Sequence, residues 1–138
     1  MDVREGMSPQ VLTVGPGHTL RALATLMAER GVGAAVVHDP DAAGPGIVTE
    51  RDVLKSIGAG EDPDVEVVAN HLTSQAVYAA PEWSLDRAAL SMVEGGFRHL
   101  IVVDGGDVVG VLSVRDIIRA WTDDGAHCEL DQDGNRPS

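Results

Sequence analysis

The segment "GIVTERDVLK", residues 46–55, returns near the other end of the chain as "GVLSVRDIIR", residues 110–119. In both copies a glycine, apolar residues and a hydroxyl side chain lead to an Arg-Asp pair. The copies lie 110 − 46 = 64 residues apart. Because self-similarity at a fixed spacing is the signature of structural repeats, we predict that the chain contains one unit twice.

A longer match surrounds the segment, since residues 3–39 align with residues 68–104 at an offset of 68 − 3 = 65. The first copy therefore has one extra residue between the two matches, and length variation is typical of turns. We predict repeats at 3–57 and 68–121 with a linker at 58–67. Residues 122–138 lack apolar periodicity, which predicts a disordered acidic tail.

Each copy is predicted to have the order β-α-β-β-α. "QVLTV", residues 10–14, predicts the first strand, and "AAVVH" with "GIVT" and "LIVVD" with "GVLS" predict hairpins. Thr19 and Ser84 are predicted to cap the first helix of each copy, with Gly31 just beyond the end of one. A last helix is predicted to begin at Glu50 or at Val114. The apolar stripes of the two first helices are Leu20, Leu23, Ala24 and Met27, and Leu85, Ala89, Met92 and Val93.

Composition limits the classes of function. The chain has 138 residues, is 43% hydrophobic and carries a net charge of −12, which argues against binding to nucleic acid or to an anionic membrane. Its one cysteine, Cys128, excludes an internal disulfide and a zinc site built from cysteines. Without a long apolar run or a signal-like N-terminus, the chain is expected to be cytoplasmic.

With these motifs, the sequence resembles a tandem pair of CBS domains, or Bateman module. "GIVTERD" and "GVLSVRD" fit the glycine, two apolar residues, Thr or Ser, two variable residues, Asp pattern of that family. The resemblance implies an α+β fold of two pseudo-twofold-related β-α-β-β-α CBS repeats packed through their sheets. It also implies binding of adenosine-containing ligands such as AMP, ADP, ATP or S-adenosylmethionine, and a homodimer joined through helices.

The repeated motif suggests a chemistry for such a ligand. Thr49 and Ser113 precede helices, where a hydroxyl and free backbone N–H groups favour a phosphate. Asp52 and Asp116 lie one helical turn further on, and a carboxylate can accept hydrogen bonds from a ribose diol. The alternative is ordinary helix capping by the same hydroxyls and carboxylates.

Positive charge near the motif would favour a phosphate. Arg51 and Arg115 precede the aspartates, although each could instead form a salt bridge on a solvated helix face. Arg98 and His99 precede the middle strand of the second copy, where the family often places basic residues. Surface or dimer packing is the alternative for His99. The first copy has glycine and alanine there, so we expect the second copy to bind phosphate more tightly.

Thr13 and its counterpart Tyr78 are predicted to end the first strand of each copy. Thr13 could hydrogen-bond to a base and Tyr78 could stack on one, although Tyr78 could also be a packed amphipathic residue.

The sequence thus predicts a regulatory module for adenine nucleotides that acts on a dimer or on an unknown protein partner. A ligand-free interaction module that dimerises through its helices is the alternative. We expect no enzyme, since the chain shows no nucleophile motif, no metal cluster and no Walker-type loop. No required cofactor and no metal site are predicted.

Overall fold

The computed structural model describes residues 1–73 and 77–123 and divides into two compact units. Among the described residues, one unit comprises residues 10–73 and 77, and we call it the β1–β3 unit after its three strands. The other comprises residues 1–9 and 78–123, and we call it the β4–β6 unit. Residues 1–9 therefore belong to the same unit as most of the second sequence repeat, whose first residues belong to the other unit. The repeat boundaries given above are a different division of the chain and stay a prediction.

The helix α1 (Val3–Gly6) opens the chain, and the β1–β3 unit follows. In this unit β1 is parallel to β2, and β2 is antiparallel to β3, so the sheet order is β1-β2-β3. Its elements are β1 (Thr13–Val14), α2 (Leu20–Arg30), β2 (Ala34–Val37), β3 (Gly46–Thr49), α3 (Glu50–Gly58) and a 3₁₀ turn (Val68–Asn70).

The β4–β6 unit repeats the same arrangement, with β4 parallel to β5 and β5 antiparallel to β6. The α+β class and the β-α-β-β-α order of both copies are confirmed. The packing of the two sheets on each other stays a prediction. The elements are β4 (Tyr78–Ala79), α4 (Leu85–Gly95), β5 (His99–Asp104), β6 (Asp107–Ser113) and α5 (Val114–Trp121).

The predicted helix caps are confirmed. Thr19 Oγ1 accepts a hydrogen bond from Ala22 N at 3.1 Å, and Ser84 Oγ accepts one from Arg87 N at 3.0 Å. Gly31 follows α2 with φ of 64°, the left-handed conformation in which a side chain would be strained.

The core of each unit lies between the sheet and its long helix. In α2 the buried residues are Leu20, Leu23 and Met27, in agreement with the predicted stripe. In α4 they are Leu85, Ala88 and Met92. The prediction of Val93 as part of that stripe was wrong, because it lies one residue beyond Met92, turned away from the sheet, and is 79% exposed.

The predicted first strand, residues 10–14, is shorter than expected. Only Thr13–Val14 forms β1, so Thr13 begins the strand and does not end it, and Tyr78 likewise begins β4. The segment still pairs with β2, since Leu12 O and Val14 O accept hydrogen bonds from Val36 N and His38 N.

Each unit is completed by the segment that begins the other repeat. Val3 N donates to Trp83 O at 2.7 Å, and Val68, which is 68 − 3 = 65 residues further on, donates from N to His18 O at 2.8 Å. Val3 and Val68 are both fully buried. Folding of either unit therefore uses residues from both repeats.

The predicted linker also packs against the β1–β3 unit. Arg21 N donates to Pro63 O at 3.0 Å, and the Arg21 guanidinium donates from Nε and Nη2 to the Asp64 carboxylate. These hydrogen bonds lower the pKa of Asp64 and raise that of Arg21. The linker thus holds the first turn of α2.

Within the described ranges, no helix is both long enough and apolar enough to span a bilayer. The predicted tail lies almost entirely outside the described residues, as does Cys128.

Candidate functional site

The two copies of the repeated motif stand at the starts of α3 and α5, and both form capping boxes. Asp52 N donates to Thr49 Oγ1 at 3.4 Å, while Thr49 N donates to Asp52 Oδ2 at 2.8 Å. Asp116 N donates to Ser113 Oγ at 3.1 Å, and Ser113 N donates to Asp116 Oδ2 at 2.9 Å. The hydrogen bonds of the capping alternative are therefore present in each copy. A ligand at either helix start would have to bind in addition to these hydrogen bonds.

A residue that the sequence analysis missed also contacts the first aspartate. Thr73 Oγ1 donates to Asp52 Oδ2 at 2.7 Å, and Thr49 Oγ1 donates to the same oxygen at 3.0 Å. Thr73 lies beside β3 because its backbone N donates to Ile47 O at 2.9 Å. The signal in the sequence was the 65-residue offset, which makes Thr73 the counterpart of Ser8 and aligns the two segments that complete the units.

Strand register brings the remaining candidates of the first copy to one face of its sheet. Thr13 pairs with Val36, and Thr49 pairs with Ala34. Cross-strand partners share a face, and Ala34 and Val36 share one because side chains alternate along a strand. Thr13 and Thr49 therefore lie on the same face.

The second sheet shows the same relationship. Tyr78 pairs with Ile101, and His99 pairs with Ser113. His99 and Ile101 are two residues apart on β5, so Tyr78, His99 and Ser113 share a face. Tyr78 is 43% exposed and therefore is not a fully packed residue.

The backbone of Arg98 joins this group, since Val114 N, at the start of α5, donates to Arg98 O at 3.0 Å. The side chains of Arg98, Arg51 and Arg115 are exposed. Within residues 1–73 and 77–123 none of these three arginines forms a salt bridge. The salt-bridge alternative for Arg51 and Arg115 is thus not observed in the described residues.

The two helix starts differ in charge. In the first copy Glu50 N donates to Gly33 O at 3.0 Å, as Val114 N does to Arg98 O in the second. A Cβ built on Gly33 would lie 3.3 Å from Glu50 Oε1, so the carboxylate of Glu50 covers this glycine. The first copy thus has the anionic Glu50 beside a glycine, whereas the second has the apolar Val114 beside Arg98.

Comparison with known proteins identifies the family. The family model for the CBS domain matches residues 1–59 and 66–123, so the chain belongs to the CBS-domain family and contains two copies of the domain. The resemblance predicted from the repeated motif is confirmed. A pair of CBS domains is a regulatory module.

Two curated relatives and one solved structure illustrate the similarity. The uncharacterized protein MK0525 of Methanopyrus kandleri is 35% identical over 86% of this chain, which spans 62% of that protein. The CBS domain-containing protein YhcV of Bacillus subtilis is 31% identical over 83% of this chain and 81% of its own length. The CBS domain protein PAE2072 of Pyrobaculum aerophilum, solved in complex with AMP, has a TM-score of 0.75 and 28% identity and covers 84% of this chain and 89% of its own.

Proposed function

We propose that this chain is a regulatory module that binds adenosine-containing nucleotides, most tightly in the β4–β6 unit. The observation that carries the proposal is the register of the second sheet, which aligns Tyr78, His99 and Ser113 on one face. The same unit has Arg98 bonded through its backbone to the first residue of α5. Residues with phenol, imidazole and hydroxyl side chains thus share one sheet face, and the backbone of an arginine is bonded to the start of α5.

Each part of a nucleotide has a candidate partner in this unit. The N-terminus of α5 carries partial positive charge, and the guanidiniums of Arg98 and Arg115 can donate to phosphate oxygens. Asp116 accepts its capping bond on Oδ2 and a bond from Arg119 Nη1 on Oδ1 at 3.4 Å. It keeps acceptor capacity beyond these bonds, because each carboxylate oxygen offers more than one lone pair. It can therefore accept a ribose hydroxyl, and Tyr78 can stack on the base. The AMP complex of the related PAE2072 supports this class of ligand.

The β1–β3 unit offers a second, weaker site made of Thr13, Thr49, Arg51 and Asp52. Its helix start carries the Glu50 carboxylate next to Gly33. A carboxylate close to a phosphate opposes binding through like-charge repulsion, whose strength falls with salt. The two units are therefore expected to differ in affinity.

Regulation requires that the ligand stabilise one state of the protein over another. We propose a homodimer formed by α4 and α5, which contact each other in the β4–β6 unit. Leu90 is 57% exposed and Trp121 is 45% exposed. Val93 on α4 and Ile118 on α5 are further exposed apolar side chains of these two helices. Leu23 and Met27 of α2 are buried in the core of their own unit, so they are not available for a dimer contact.

A ligand-free interaction module remains the second candidate function. The observation in its favour is that both capping boxes are complete without a ligand. In this candidate the aspartates stabilise the helix starts, and the exposed side chains of α4 and α5 bind a second copy.

Calorimetric titration with AMP, ADP, ATP and S-adenosylmethionine tests the proposal. A ligand at 100 times its Kd should stabilise the native chain by about 2.7 kcal/mol, which a thermal melt detects. Asp116→Ala should weaken the tighter event and Asp52→Ala the weaker one. The absence of both heat and thermal stabilisation with all four ligands would favour the ligand-free module, and reversal of the two variants would reassign the tighter site.

A further inference from the structure

Three potential metal ligands meet in the segment between α3 and the 3₁₀ turn. Glu61, Glu66 and His71 each offer one ligand atom, and these atoms all lie within 4.8 Å of one another. His71 Nε2 is 2.7 Å from Glu66 Oε1 and 3.9 Å from Glu61 Oε1. Only 14% of the His71 side chain is exposed, so the imidazole is held between the two carboxylates and largely shielded from water.

The three residues are fixed by their surroundings. Glu66 O accepts a hydrogen bond from Leu20 N at 3.0 Å, and His71 N donates to Val68 O at 3.0 Å. Glu61 N donates to Ser56 O at 3.1 Å, and the Ser56 hydroxyl donates to Glu61 Oε1 at 2.7 Å. Ser56 is the one buried polar residue among those described, and it orients a carboxylate of the cluster.

The β4–β6 unit shows that the fold does not require this cluster. At the offset of 65 residues, Met1 corresponds to Glu66 and Gly6 corresponds to His71. The backbone bond is nevertheless the same, since Leu85 N donates to Met1 O at 2.9 Å as Leu20 N does to Glu66 O. The β4–β6 unit therefore makes the same backbone contact without a ligand at either of these two positions, so the contact does not explain why Glu66 and His71 are present in the β1–β3 unit.

The net charge of the cluster explains why these side chains would be brought together. Across residues 1–73 and 77–123, neither glutamate forms a salt bridge with a lysine or an arginine, and His71 is their shared partner. Two carboxylates around one imidazole leave net negative charge even when the imidazole is protonated. A divalent cation would neutralise both carboxylates and would accept the imidazole nitrogen as a third ligand.

We propose that Glu61, Glu66 and His71 bind a divalent transition-metal cation, with Zn²⁺ as the best match. Imidazole nitrogen with carboxylate oxygen suits zinc, whereas calcium and magnesium prefer oxygen ligands alone. Ligand atoms at about 2.0–2.2 Å from a tetrahedral zinc lie roughly 3.3–3.6 Å apart. Small side-chain movements would bring the ligand atoms to this spacing, since His71 Nε2 lies closer than this to Glu66 Oε1 and farther than this from Glu61 Oε1. The cation would fasten the linker to the β1–β3 unit.

The test uses the chain of 138 residues after treatment with a chelator, titrated with Zn²⁺ alone in a calorimeter without nucleotide. We expect one zinc per chain. His71→Ala should lower the affinity more than tenfold, and Ser56→Ala should lower it by about 10- to 100-fold, as for other residues that orient a ligand. His38→Ala is the matched control, because His38 is exposed and lies outside the cluster. Circular dichroism of each variant, with Glu66→Gln as a conservative second variant, separates ligand loss from unfolding.

Two results would overturn the proposal. Absence of stoichiometric zinc binding would show that the three side chains form an ion pair only. Zinc binding that persists in folded His71→Ala and Glu66→Gln variants but disappears in Cys128→Ser would place the metal on the tail. Neither result bears on the nucleotide proposal, because no nucleotide is present.

Discussion

The hydroxyl of Thr73 donates a hydrogen bond to Asp52 Oδ2 at 2.7 Å. Thr73 belongs to the predicted second repeat, whereas Asp52 belongs to the motif of the first. The orientation of a candidate ligand-binding carboxylate therefore depends on a residue outside its own repeat. This contact exists because the segment that begins the second repeat lies along β3.

Replacing this hydroxyl should affect both stability and binding. Thr73→Val keeps the shape of the side chain but removes a donor to a charged, half-buried acceptor, so we expect a loss of about 1 kcal/mol in the free energy of unfolding. The weaker nucleotide event should weaken further because Asp52 is less constrained. Urea denaturation and AMP calorimetry measure the two effects. Thr25→Val, at an exposed position of α2, is the control and should stay within about 0.5 kcal/mol of the parent. An unchanged AMP titration would remove Thr73 from the site.

The charge difference between the two helix starts predicts opposite effects for two substitutions. Arg98→Ala should weaken the tighter AMP event roughly tenfold, because it removes a charge-assisted hydrogen bond of about 1.5 kcal/mol. Glu50→Val copies the residue found at the equivalent position, Val114, and should tighten the weaker event. Both effects should shrink at high salt, since the groups are exposed.

Calorimetry at two salt concentrations checks both results. Arg30→Ala, which removes an exposed arginine at the far end of α2, should leave both binding events unchanged. If Arg98→Ala and Arg30→Ala behave alike, the basic residue before β5 has no part in phosphate binding.

The repeat, the order of elements and the helix caps were predictable because each depends on local sequence. Thr19 and Ser84 cap their helices by accepting hydrogen bonds from backbone N–H groups three residues further on. The spacing of the apolar residues alone identifies α2. The association of Thr73 with Asp52, and of Glu61 with His71, could not be predicted in this way. Both depend on where the segment after α3 lies once it has packed, which no local pattern specifies.

The same limit applies to Val93 and to the first strand. An apolar residue near the end of a helical stripe fits the helical period whether its side chain faces the sheet or the solvent. Which of the two occurs depends on how the helix packs in its unit. β1 is short because only Thr13 and Val14 have partners on β2 in the parallel pairing. The predicted site residues on the strands, by contrast, share a sheet face in each unit, because both copies have the same register.

The segments that complete each unit should be essential for stability. Val3 and Val68 are fully buried, and truncation of either to alanine removes two methyl groups and leaves a cavity. We expect each substitution to cost about 2–3 kcal/mol. Val65→Ala is the control, because Val65 is 68% exposed, and it should change stability by less than about 0.5 kcal/mol. Equal midpoints in urea for Val3→Ala and Val65→Ala would show that the first residues do not contribute to folding.

Two glycines at equivalent positions should respond differently to alanine. A Cβ built on Gly110 would lie 2.6 Å from Met7 Sδ and 2.8 Å from Ser8 O, so backbone must move to admit it. A Cβ on Gly46 would meet the flexible end of Leu72, with its nearest atom at 3.2 Å. We therefore expect Gly110→Ala to destabilise the chain by about 1–3 kcal/mol, as overpacking does. Gly46→Ala should be close to neutral, because the leucine can shift and the unfolded chain loses entropy. Urea denaturation of the two variants side by side measures the difference, and a Gly46→Ala variant that is the less stable of the two would contradict the close approach of residues 7–8 to β6.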